Sequence, residues 1–234
     1  MDRREGEIMK RLLISLVLFV GAGKYLLAAE CVKDTQSARL RDFVNQTFIH
    51  GVPFSEAVQF RSNRDVETLT CLLNDPTEQP YLRNVVSVLG MGGNSHARQP
   101  LIKFLEQGSG VLPRDAFAAK SAAVVALGFL APNDPDAMSY LQKSVDPAVW
   151  TERGVKWLPP FSTSPQERDA DLSKHAILAL GLSGDPNAAN FLLSLQRGES
   201  LRLTSDFDDV IAEALKSNDM IQRHGIVAYE QRTQ

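Results

Sequence analysis

Apolar and polar residues nowhere alternate in this chain over a stretch long enough to read as a strand. The apolar positions gather instead into blocks of helical length, separated by Gly, Pro, Asn and Asp. These blocks predict helices over 34–48, 54–60, 64–74, 80–91, 95–107, 114–130, 135–145, 165–182, 187–197 and 206–221. The closing stretch IVAYE (226–230) reads as extended and packed on the last helices. Several blocks, above all AFAAKSAAVVALGFL (116–130), are apolar almost all round and rich in alanine, as expected of helices covered by neighbours on both sides. The expected fold class is all-α.

Three of the blocks repeat one another: YLRNVVSVLGMGGNSHARQPLIKFL (81–105), AKSAAVVALGFLAPNDPDAMSYLQKS (119–144) and LSKHAILALGLSGDPNAANFLLSL (172–195). Each runs through Leu-Gly into a turn and then Ala-x-x-x-Leu. The pairs are Leu89-Gly90, Leu127-Gly128 and Leu180-Gly181, followed by Ala97/Leu101, Ala137/Leu141 and Ala188/Leu192. The glycines are 38 and then 53 residues apart, a period that signals stacked repeats. Glycine at the helix end suits a left-handed cap or a close crossing. Asp134-Pro135 and Asp185-Pro186 each place an N-cap residue before a proline at the first helical position. Ser164-Pro165-Gln166-Glu167 signs a further helix start.

The stretch ALGLSGDPNAANFLLSL resembles a HEAT repeat, in particular the short type of the phycobilisome-lyase group, in which a helix ending in Ala-Leu-Gly passes through Gly-Asp-Pro into a second helix. The first copy lacks the Asp-Pro, and the middle copy carries two extra turn residues. The likeness covers residues 81–145 and 165–197 and extends weakly to 65–75 and 207–217. It implies an α-solenoid of stacked antiparallel helix pairs, HEAT-like or armadillo-like, with about four pairs. It also implies a concave face that binds other molecules, usually proteins; it does not imply catalysis, since function sits in sites rather than in folds. The expected division is a signal peptide over 1–29, a helical cap over 30–64, the repeat domain over 65–221 with an insertion loop at 146–165, and a tail over 222–234.

The first 29 residues stand apart from this pattern. Lys10 and Arg11 precede the apolar run LLISLVLFVGAG (12–23), shorter than the roughly 20 residues that cross a bilayer, and small residues follow at Ala28 and Ala29. This is the layout of a secretory signal peptide cleaved after Ala29, and it points to a periplasmic or secreted protein. The competing reading is an uncleaved anchor, the one case in which the chain would contact a membrane. Net charge is −3, and removal of the leader, with five Lys/Arg and three Asp/Glu, leaves −5. With 44% hydrophobic and 23% charged residues the chain is globular in composition, and no basic stripe speaks for nucleic acid. In an oxidising compartment Cys31 and Cys71 are expected to pair; otherwise Cys71 is a small buried residue in the run LTCLL.

The insertion DPAVWTERGVKWLPPFSTSP (146–165) holds both tryptophans of the chain. Insertions in repeat proteins map to loops, often on the binding face, and aromatic and Arg side chains anchor interfaces. Trp150, Arg153, Lys156, Trp157 and Phe161 are therefore the expected contacts with a protein or peptide partner in the envelope. The alternative is that the loop folds back and its tryptophans cover the stack.

Catalytic constellations are thin. His175 shares a helix with Asp171 at i,i+4 and with Asp169, the one cluster that would support a small-molecule- or metal-dependent enzyme beside the 146–165 loop. GMGG (90–93) follows a helix and lacks the Lys-Ser/Thr of a phosphate loop, and no Gly-x-Ser-x-Gly occurs. The expectation is an interaction module or scaffold rather than an enzyme, with no catalytic residue, metal ligand or cofactor assigned.

Overall fold

The computed structural model describes residues 31–161 and 164–233, so the expected leader lies outside the described residues. Twelve α-helices and two three-residue strands form among them. The helices are α1 (Thr35–Val44), α2 (Phe54–Ala57), α3 (Asn63–Leu73), α4 (Leu82–Met91), α5 (Arg98–Glu106), α6 (Arg114–Leu130), α7 (Pro135–Ser144), α8 (Pro147–Glu152), α9 (Pro165–Leu182), α10 (Pro186–Gln196), α11 (Asp208–His224) and α12 (Ile226–Thr233). The strands are β1 (Ser109–Val111) and β2 (Lys156–Leu158). The class is all-α.

Local chemistry sets the helix starts. Asp134 accepts the N–H groups of Asp136 and Ala137 at 3.0 and 3.1 Å, and Asp185 accepts that of Asn187 at 2.7 Å, with Pro135 and Pro186 behind them at N1. Reciprocal capping boxes open α1, through Asp34 and Ser37, and α3, through Ser62 and Asp65.

Four helices, α4, α6, α9 and α11, lie beside one another in chain order. Their contact points are the glycines of the repeated Leu-Gly. A methyl group on Gly90 would fall 2.5 Å from the Ala126 carbonyl oxygen and one on Gly181 2.6 Å from that of Ala214, and Gly128 is pressed as closely against Ala179. These glycines therefore serve close crossings from within the helices, and the left-handed turns fall later, at Gly93 (φ 68°) and Gly184 (φ 61°). Ala126 and Ala179 stand two residues ahead of Gly128 and Gly181, so each Ala-Leu-Gly receives the glycine of the preceding helix on its alanine and presses its own glycine on the next. Val88 opens this series, and the exposed Lys216, two residues after Ala214, closes it.

The second helix of each copy, α5, α7 and α10, packs against the next member of that row. The repeated pairs Ala97/Leu101, Ala137/Leu141 and Ala188/Leu192 are fully buried there. One continuous core runs from Cys31 to Ala214. The disulfide between Cys31 and Cys71 ties the start of the described chain to α3.

Three expectations are corrected. The insertion 146–165 contains α8 and β2, and β2 pairs in parallel with β1 in the α5–α6 connection, Gly110 opposite Trp157. The closing stretch is the helix α12 rather than an extended piece. The preceding helix α11 runs on to His224, beyond the expected boundary at 221, and ends at Gly225 with φ 79°.

Candidate functional site

A cavity of about 770 Å³ opens among the described residues. It is bounded by α4, α6, α9, α12 and the segment 48–52. Its floor comes from one face of α6: Phe117, Ser121, Val125 and Phe129 recur every four residues and so lie above one another. The alanine-rich composition of α6 suggested burial all round, but this face is bare, and Phe117, Val125 and Phe129 are only half-buried. Met91 and Leu182 add apolar wall from α4 and α9, and Phe48 and Val52 add it from the loop. Asn84 of α4 holds that loop by donating to the Val44 and Gln46 carbonyls at 2.8 and 3.0 Å.

The last helix bridges the cavity. Ile226, Tyr229 and Glu230 of α12 line it, and two polar contacts from the adjacent residues Tyr229 and Glu230 hold the helix at its middle. The Tyr229 and Ser217 hydroxyls are 3.0 Å apart, and the Glu230 carboxylate accepts the Phe54 N–H at 3.1 Å. Burial pushes the Glu230 carboxyl above the usual range, with the Phe54 N–H opposing. The Phe54 ring in turn lies 5.7 Å from that of Phe129. Polar side chains share the lining with the apolar ones: Arg83, Asn84 and Ser87 from α4, His50, His175, Tyr229 and Glu230, and Ser121, 9% exposed, whose hydroxyl makes no hydrogen bond among the described residues.

The insertion occupies another place. Trp150 and Trp157 have no exposed surface, so neither indole offers a face to a partner, contrary to the expected contact role. Both N–H groups find internal acceptors, which explains the burial: Trp150 donates to the Ser144 carbonyl at 3.0 Å, and Trp157 to the Leu105 carbonyl at 2.8 Å. Lys120 works at the same helix end, donating to the carbonyls of Phe104 and, at 2.8 Å, of Gln107. Arg153 is also drawn inward, 3.8 Å above the Tyr140 ring and 2.6 Å from the Ser144 hydroxyl. Burial raises the Tyr140 phenol well above its usual range, Arg153 opposing and Glu106 adding to the rise. Lys156 and Phe161 remain exposed. Phe161 stands edge-on to Phe117 at 5.2 Å, as the buried Trp157 does at 6.1 Å, so these two residues of the expected set pack beside a ring that lines the cavity.

The acid–base cluster does not assemble. His175 faces the cavity, its Nδ1 2.7 Å from the Asp171 carbonyl oxygen one turn earlier. Asp169 is turned away and buried, held by Arg168 at 2.7 Å and by the Thr151 hydroxyl at 2.7 Å. Arg168 also grips the Val155 and Trp157 carbonyls, so this pair fastens the insertion to α9. The cavity escaped the reading of the sequence because its walls come from five separate segments. The one local signal was the four-residue row Phe117, Ser121, Val125, Phe129. No protein-family model matches the chain, and no curated protein or solved structure is significantly similar to it.

Proposed function

We propose that this chain is an exported interaction module, an α-solenoid of HEAT-like helix pairs that holds a peptide segment of a partner protein in the cavity beneath α12. The observation that carries this reading is the bare face of α6. Phe117, Val125 and Phe129 stay only partly buried in a hollow of about 770 Å³, together with Ala118 and Ala122, although the rest of the apolar residues of that helix are buried. That volume lies in the range of roughly 300–1,000 Å³ typical of binding sites, and its lining offers apolar and polar surface in about equal measure. Export is supported by the leader-like segment 1–29 and by the disulfide, which persists in oxidising compartments.

Selection of displayed peptides on the full chain tests the binding role. Peptides enriched on the wild type are expected to lose binding when Ala122→Trp fills the cavity and thermal melting shows the variant still folded. Equal binding to both proteins sinks the proposal. Cell fractionation combined with the mass of the isolated protein tests export; a cytosolic chain that retains residues 1–29 and two free thiols contradicts it.

A further inference from the structure

The cavity is bounded, and this limits what can occupy it. An open repeat surface lets a long segment pass through, whereas here α12 covers one side, held by Tyr229 against Ser217 and by the adjacent Glu230 against Phe54. About 770 Å³ accepts a few residues, the end of a chain rather than a through-running segment. The charges decide which end. Arg83, exposed on α4 at the edge of the cavity, makes no ion pair or side-chain hydrogen bond among the described residues. The one carboxylate there, Glu230, already accepts the Phe54 N–H. Ser121, buried in the α6 floor with an unpartnered hydroxyl, supplies a further polar group. A guanidinium with free N–H groups matches a carboxylate in geometry as well as charge.

Resting on the proposed peptide-binding role, we infer that the cavity receives the free carboxy-terminus of an apolar peptide, its carboxylate paired with Arg83 and its last side chains laid against Phe117, Val125 and Phe129. Recognition of a terminal carboxylate together with apolar side chains is an established mode of peptide capture.

The test uses apolar pentapeptides carrying fluorescein at the amino end, each made as the free acid and as the carboxamide, titrated against the full chain by anisotropy. The acids are expected to bind about tenfold or more tightly than the amides, the scale of a charge-assisted pair. Arg83→Gln, a change at an exposed position, is expected to erase that difference while leaving amide binding unchanged. Equal affinity of acid and amide for the wild type overturns carboxylate recognition but leaves the peptide groove standing. A preference for the acid that survives in Arg83→Gln overturns the assignment to Arg83. If neither form binds, the peptide groove falls with the inference.

Discussion

Gly128 in α6 rests against the backbone of Ala179 in α9, with no room between them for even a methyl group. The same pairing joins Gly90 to Ala126 and Gly181 to Ala214, so the row of helices is held at backbone distance by one recurring contact. Gly128→Ala must push α6 from α9, because a backbone carbonyl cannot yield as a flexible side chain can. The expected loss is about 1–3 kcal/mol of stability, measured by chemical denaturation, although alanine favours helices on exposed surfaces. A neutral or stabilising effect would contradict the close crossing.

The two tryptophans are expected to behave as core residues. Trp157→Ala removes a fully buried indole and strips the Leu105 carbonyl of a donor. A loss of about 3–5 kcal/mol follows, with the β1–β2 pairing released. Thermal melting and amide exchange at 109–111 read both effects; an unchanged melt speaks against the burial.

Reduction of the bridge between Cys31 and Cys71 frees a loop with a sequence separation of 40 residues. In the chain-entropy description this costs about 4 kcal/mol at most. Cys31→Ser with Cys71→Ser is expected to lower the denaturation midpoint and to steepen the slope, since the unlinked denatured chain is more expanded.

Lys120 gives the protein an alkaline signature. Burial pulls its ammonium down to about 8, against an ordinary value of 10.5 in the unfolded chain. Between these two values the unfolded state binds more protons than the folded one, so this group makes stability rise with pH. The rise is expected in the wild type and absent from Lys120→Met, read as the difference between their denaturation curves from pH 7 to 10.5.

Glu230 acts at the acid end. Its carboxyl is raised while α12 is docked, so docking favours the protonated form. The contribution is complete below the ordinary glutamate range and is lost as pH rises through the raised value. Amide protection of 226–233 is expected to fall over that interval in the wild type, and Glu230→Gln to remove the dependence.

How far the chain could be read without its structure varied from element to element. The span of α6 was predicted residue for residue, 114–130, because its apolar run, its length and the turn beyond Leu130 are all local. Ala137 and Leu141 stood out as a recurring pair for the same reason, and both are fully buried. The insertion was read less well: Trp150 and Arg153 looked like surface anchors, yet their partners, Ser144, Ser173 and Tyr140, lie on helices that meet only in the folded chain. Phe161 was singled out as a partner contact, and its place beside Phe117 comes from two segments far apart in sequence.

The amino-acid order alone determined where the capped helices of the repeats begin and where glycine recurs in them, because caps, propensities and periodicity act within a few residues. Only the tertiary structure decided that β2 returns to β1, that both indoles are sealed inside, and that Glu230 reaches Phe54 across 176 residues to bound a cavity. Those outcomes depend on which distant groups can satisfy one another's hydrogen bonds and exclude water together, and no local stretch of sequence carries that information.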